Sequence, residues 1–279
     1  MNAYENELQV TMSAARAAGA IVMASYAKLA ESDIGEKGKN DMVTVVDRNA
    51  QEVVVGAIRK AFPGDFIIAE EDLSDSVNSG LDPKGSRRWY IDPLDGTTNY
   101  IHAYPMFAVS VALEVDRKMT VGVTYAPRDD EMFRAVRGHG AFVNDQPLHV
   151  SQVTARNRML LGTGFPFRAR HYLDIYLESF AHFFNNARGI RRAGSAALDF
   201  AYVAAGRLDG FWEMTLSPWD MAAGVVLIEE AGGRVTDFFE GDTYLESGHV
   251  VATNGLFHDW VMESLGEIFT KGEDYTIRS

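Results

Sequence analysis

A chain of 279 residues, 47% of them apolar, can bury about three quarters of its unfolded surface and build a sizeable core. It has no cysteine, which excludes disulfide frameworks, zinc-thiolate sites, iron–sulfur clusters and cysteine nucleophiles and leaves oxygen or imidazole as metal donors. With 26 Lys and Arg against 39 Asp and Glu, a formal net charge of −13, the balance argues against a broad grip on nucleic acid or anionic lipid.

The opening MNAYENELQV is acidic and polar where a secretory signal is basic and then apolar, and no run reaches the roughly 18 apolar residues of a membrane span. A cytoplasmic protein without membrane attachment is expected. Leu8, Met12, Ala15, Ala18, Val22, Tyr26 and Leu29 repeat at helical spacing, as do Val46, Ala50, Val53, Val54, Ile58 and Phe62, so two amphipathic helices open the chain. EKGKND between them reads as a turn or mobile loop. FIIA (66–69) is a short β-branched strand, and the polar stretch 72–86 after it reads as an exposed loop.

From Arg87 the pattern turns to strands: RRWYI, FAVSVALEV, MTVGVTYA and EMFRAV, a largely antiparallel meander. Beyond Ser151 strands and helices alternate. Strands are expected near 159–162, 190–192, 210–214, 234–236 and 250–252, and helices near 172–184, 196–205, 221–231 and 257–269. One 1–279 unit of two tightly joined α/β halves is implied, 1–150 and 151–279, with a seam near Ser151. Trp89, Trp212 and Trp260 read as core or interface. The seven histidines show no ligand spacing.

The densest chemical signal is Asp92-Pro93-Leu94-Asp95-Gly96-Thr97-Thr98-Asn99, directly after the strand WYI. Two carboxylates three apart on a turn at a strand end can converge on one cation, with the Leu94 carbonyl aimed the same way. Gly96 lets backbone approach a ligand, and Thr97 and Thr98 begin a short helix whose N–H groups favour an anion. Glu70, at the end of FIIA, is the better ligand candidate of Glu70-Glu71-Asp72. Asp220 opens the helix after Ser217-Pro218-Trp219 and Asp47 lies near the start of the second helix; either can serve simply as a cap or a dipole-favoured acid.

Four acidic sites at element ends around a Gly-Thr turn point instead to a hard-cation site, magnesium or manganese rather than zinc. Unit charges about 4 Å apart interact by roughly 4 kcal/mol at an effective dielectric of 20. Five carboxylates in one cleft would therefore repel a phosphate dianion, and two or three divalent ions would reverse the sign.

The motifs Asp41-Met42-Val43-Thr44-Val45-Val46-Asp47, Ile68-Ala69-Glu70-Glu71, Trp89-Tyr90-Ile91-Asp92-Pro93-Leu94-Asp95-Gly96-Thr97-Thr98-Asn99 and Trp219-Asp220-Met221-Ala222-Ala223-Gly224 resemble those of the inositol monophosphatase family, in its order and spacing. Gly138-x-Gly-Ala-Phe-Val-Asn144 and Gly194-Ser195-Ala196-Ala197 extend the resemblance across nearly the whole chain. It implies a layered α-β-α-β-α sandwich, usually a homodimer, acting as a lithium-sensitive, magnesium-dependent phosphatase. Glu70, Asp92 and the Leu94 carbonyl would hold the first ion, and Asp92, Asp95 and Asp220 the second. A third ion is left open. Thr97, supported by Asp47, would orient the attacking water. Gly96 and Thr97 N–H groups would bind phosphate oxygens, and Gly194, Ser195, Ala196, Glu213 and Asp95 would meet the substrate's hydroxyl-bearing ring. Lys37-Gly38-Lys39-Asn40 resembles the loop that relatives fold over the metals.

The continuation Thr97-Thr98-Asn99-Tyr100 is similar to that of phosphatases acting on inositol 1-phosphate, the expected substrate. Fructose 1,6-bisphosphate and histidinol phosphate stay open, since Glu213 can accept hydroxyls from several ligands. Phosphatases of the haloacid dehalogenase type are the chemical rival, but their D-x-D-G-T string is one residue shorter than Asp92-x-x-Asp95-Gly-Thr. Some bacterial relatives associate with transcription antitermination machinery, so a transcription partner reached through Arg188, Arg191 and Arg192 is the non-enzymatic alternative. An inter-subunit salt bridge is the competing role for those arginines.

Overall fold

The computed structural model describes residues 3–38, 41–71, 87–167 and 169–269. Helix α1 (Glu5–Ser25) leads into a hairpin of β1 (Ile34–Gly38) and β2 (Asp41–Thr44), then α2 (Val45–Ala61). Next come β3 (Phe66–Ala69), β4 (Arg87–Asp95), α3 (Thr97–Ile101), β5 (Ala108–Val115), β6 (Lys118–Ala126), β7 (Glu131–Val136), β8 (Ala141–Val143) and β9 (Gln146–Pro147). The remainder is β10 (Leu160–Thr163), α4 (Leu173–Asn186), β11 (Gly189–Arg191), α5 (Ala196–Ala204), β12 (Gly210–Glu213), α6 (Pro218–Glu230), β13 (Arg234–Thr236), α7 (Tyr244–Ser247), β14 (Val250–Thr253) and α8 (His258–Phe269).

Strands β3 to β9 form one seven-stranded sheet in chain order. Only β3 and β4 run parallel, the rest being the expected antiparallel meander. A five-stranded sheet has the order β11-β10-β12-β14-β13, with β10 parallel to both its neighbours. Helices α1 and α2 cover the outer face of the larger sheet, α5 and α6 fill the space between the sheets, and α4 and α8 back the smaller one. The result is the layered α-β-α-β-α sandwich. Buried apolar side chains follow the same layers. Val22, Val54 and Trp89 lie under the first helix pair, Phe200, Met221 and Phe133 at the centre, and Phe183, Trp212 and Leu265 on the far side. Trp260 is partly buried against that last group.

Two expectations change. The first stripe does not stay helical to Leu29: α1 ends at Ser25, and Ala27 takes a φ of +58°. Tyr26 and Leu29 still pack on the core from beyond the helix. Much of the segment read as a turn belongs to a hairpin, with Glu36 opposite Met42 and Gly38 opposite Asp41. Such a two-stranded ribbon, outside the main sheets, carries too little apolar alternation to declare itself. Short pieces (β8, β9 and α7) were too brief for periodicity to reveal. Lys39, Asn40 and the loop 72–86 lie outside the described residues. Among the described residues no helix is long and apolar enough to cross a membrane.

Candidate active site

Strands β3 and β4 are parallel with Ala69 opposite Ile91, so the next residues, Glu70 and Asp92, leave neighbouring strand ends together. The Glu70 N–H donates to the Ile91 carbonyl at 3.1 Å. Along β4, Asp92 pairs with Ser110 and Asp95 with Ala108, three steps on one strand against two on the other. In a regular strand residues 92 and 95 would face opposite sides; the extra residue of this bulge brings both carboxylates to one side. Asp92 Oδ1 accepts the Leu94 N–H at 3.0 Å, closing the turn around Pro93. Gly96 follows with a φ of +89°, and a Cβ there would stand 2.7 Å from the Met106 carbonyl oxygen. Only glycine fits, and α3 starts at the next residue.

Asp47 and Asp220 occupy equivalent places on two helices. Each is the third residue after the cap and closes a capping box, with Thr44 on α2 and Ser217 on α6. The Ser217 N–H donates to Asp220 Oδ2 at 2.8 Å. Asp47 Oδ2 accepts the Thr44 N–H at 2.9 Å, and Oδ1 accepts the Thr97 hydroxyl at 2.9 Å. The capping and the site-building roles therefore coincide.

Asp92, Asp95 and Asp220 each offer a carboxylate oxygen within 4.8 Å of the others. Burial raises the Asp92 carboxyl well above its usual range, and the charges of Glu70, Asp95 and Asp220 add to it. Burial pushes Asp95 up to about 6, against hydrogen bonds from Ser195 and Ala197 that favour its charge. Asp47 is also raised, by burial first, opposed by Thr44 and Thr97. An all-oxygen, mutually repelling and buried donor set fits a hard divalent cation, whose charge would offset both the burial and the mutual repulsion of the carboxylates.

The cluster lies in a cavity of about 390 Å³. Glu70, Leu94, Gly96 and Thr97 line it beside the three aspartates, and Gly194, Ser195, Ala196 and Glu213 line it from the other half of the chain. Each of these predicted site residues therefore meets at one cavity; Asp47 sits behind it, reached through Thr97. The Thr97 hydroxyl also lies 3.0 Å from the Leu94 carbonyl oxygen.

Other participants escaped the sequence reading. Phe165, Phe167 and Arg170 line the cavity from a segment with no periodicity to mark it. The Asn99 side-chain amide reaches the carbonyl oxygens of Met106, Ala193 and Gly194 at 2.7, 2.9 and 3.1 Å, tying α3 to the 193–194 turn. Buried Asp199, on α5, leaves Oδ1 without a hydrogen-bond partner, and burial raises it strongly. Of the three basic residues, Arg188 and Arg191 are exposed around edge strand β11. Arg192 instead belongs to the cavity wall.

The model of the inositol monophosphatase family matches residues 3–269. A Pseudomonas aeruginosa protein named Nus factor SuhB is 46% identical over 250 residues, covering 88% of this chain and 91% of that protein. An inositol-1-monophosphatase of Mesorhizobium japonicum is 41% identical over 259 residues, covering 92% and 95%. Among solved structures, the extragenic suppressor protein suhB of Bartonella henselae superposes with a TM-score of 0.87 at 38% identity, over 94% of this chain and 98% of that one. The inositol monophosphatase of Anabaena gives 0.81 at 40% identity, over 95% and 96%.

Proposed function

The chain belongs to the inositol monophosphatase family, and from that premise we propose that it is a magnesium-dependent phosphomonoesterase that hydrolyses inositol 1-phosphate to inositol and phosphate by direct attack of water. The observation that carries the reading is the convergence of Asp92, Asp95 and Asp220 within 4.8 Å at the buried end of a cavity of ligand size. Glu70 and the Leu94 carbonyl complete an oxygen donor set for two or three ions, magnesium or in its place manganese. When bound, the cations supply the positive charge that admits a phosphate dianion among carboxylates, activates water and stabilises the leaving oxygen.

The chain's own residues do the rest. The single proton of the Thr97 hydroxyl is directed to Asp47 Oδ1 or to the Leu94 carbonyl, so its lone pairs face outward and accept a hydrogen bond from the attacking water. That holds the water's own lone pair toward phosphorus. The N–H groups of Gly96 and Thr97 receive phosphate oxygens. Glu213, Asp95 and Ser195, with the backbone of Gly194 and Ala196, face the ring hydroxyls and set its orientation.

Phosphate release from inositol 1-phosphate, fructose 1,6-bisphosphate, histidinol phosphate and 3′-phosphoadenosine 5′-phosphate, with and without magnesium, tests the reading. Magnesium-dependent release led by inositol 1-phosphate and lost in Asp95→Asn supports it. Faster release from fructose 1,6-bisphosphate or histidinol phosphate reassigns the substrate, and a trapped phosphorylated Asp92 overturns the direct-water route. Lithium at millimolar concentration is expected to inhibit.

A cytoplasmic homodimer is part of the same proposal. Leu173, Leu177 and Phe184 form an exposed stripe along α4 and support such an association. A second reading, a transcription-machinery partner, rests on the name Nus factor SuhB carried by relatives. Arg188 and Arg191 would be its contacts, and a pull-down recovering no transcription protein would remove it.

A further inference from the structure

The catalytic cavity is asymmetric in charge. Its carboxylates lie at the buried end, whereas Arg170 and Arg192 line the same cavity from exposed positions. Among the described residues nine other arginines reach a carboxylate within 4 Å, among them Arg87, Arg137 and Arg207. Neither Arg170 nor Arg192 makes an ion pair with a described residue. Arg192 faces the buried Asp199 carboxyl at longer range, yet neither guanidinium is closed by an ion pair among the described residues, and both are open to an anion from outside.

Arg192 is also held in place. Its guanidinium carbon lies 5.7 Å from the centre of the Phe165 ring and 5.0 Å from that of Phe167, and both rings line the cavity. One terminal nitrogen crosses 2.4 Å from where a Cβ on Gly194 would stand; the missing side chain leaves the arginine its path over the 193–194 turn. A guanidinium stacked on aromatic faces keeps its N–H edge open, in the geometry that takes a phosphate through two parallel hydrogen bonds. Less of its side-chain entropy remains to be lost on binding.

We propose that Arg192 and Arg170 form a second phosphate subsite at the rim of the catalytic cavity, so that the enzyme accepts polyol bisphosphates, cleaving the ester at the carboxylate end while the other phosphate stays intact on the arginines. This rests on reading the buried end as a phosphomonoester site and adds a class of substrate to it.

The matched pair fructose 1,6-bisphosphate and fructose 1-phosphate, which differ by one phosphate, isolates the subsite. With the full chain and magnesium, the ratio of kcat/KM for the bisphosphate to that for the monophosphate is expected to fall at least tenfold in Arg192→Ala and several-fold in Arg170→Ala. Arg192→Lys, which keeps charge without the fork, recovers only part of the ratio. A ratio that stays within twofold of wild type in both alanine variants overturns the proposal, because the arginines then only moderate the cavity's charge. If no ester is hydrolysed, the functional reading fails by itself. The same ratio is then taken from calorimetric Kd values with magnesium present: a tenfold loss of bisphosphate preference in Arg192→Ala supports the subsite, and no change removes it.

Discussion

Ser195, a hundred residues downstream of Asp95, donates its hydroxyl to Asp95 Oδ2 at 2.6 Å, and the Ala197 N–H donates to the same oxygen at 2.8 Å. Ser195 is at once the cap of α5, accepting the Leu198 N–H, and the clamp on an aspartate of the candidate metal cluster. Two halves of the chain thus share one carboxylate. Ser195→Ala is expected to cost about 1 kcal/mol of stability from the lost cap. Loosening the carboxylate should lower kcat/KM by about 10- to 100-fold, the usual range for a group that orients a metal ligand. Urea titration and phosphate-release kinetics read the two effects separately, and Asp95→Asn should lower activity further than Ser195→Ala.

Thr97 tests the orientation of water. Thr97→Val removes the hydroxyl between Asp47 and the Leu94 carbonyl at nearly constant volume, and kcat is expected to fall by about 100-fold or more with a small change in KM. Thr97→Ser keeps the hydroxyl and should retain most of the rate. A rate kept in Thr97→Val and lost in Thr97→Ser would show that the methyl group, and so packing, is what matters.

If the proposed cation binds at this cluster, metal and proton compete for the same carboxylates. Asp95, pushed up to about 6 from 3.8 mainly by burial, binds its proton more tightly when folded than when unfolded. In the metal-free protein its contribution to stability therefore falls as pH rises from about 4 to above 6. His258, held by Thr236 and Thr253 and lowered to about 4 chiefly by burial, works in the opposite sense, adding stability as pH rises from about 4 to 6.5. The difference in Tm with and without magnesium cancels the histidine, which is the same in both. That difference should grow from pH 5 to pH 7.5. At a hundred times its Kd the cation contributes about 2.7 kcal/mol, roughly 5 °C or more. A pH-independent difference would place the ion elsewhere.

Association through α4 is open to one substitution. Leu177 is 43% exposed in the single chain, so Leu177→Asp removes little core packing. It should turn a dimer into monomers by light scattering while thermal unfolding remains cooperative. A variant that stays dimeric would move the interface off this helix.

Much of this protein is written in short stretches of its sequence. Helical periodicity located α2 and α1, overrunning the end of α1 by about a turn, because an amphipathic helix must repeat its apolar face about every 3.6 residues. The alternating segments after Arg87 marked the meander for the same kind of reason. The motif around Asp92 disclosed its chemistry because turn, bulge and glycine are local demands met by adjacent residues. Tertiary structure alone decided the rest. That Asn99 ties α3 to the 193–194 turn, that Asp95 is shared with Ser195, and that Arg192 lies over Phe165 and Phe167 are relationships between residues far apart in the chain. Local pattern carries no distance information, and only the packing of two sheets around α5 and α6 sets which of those residues meet.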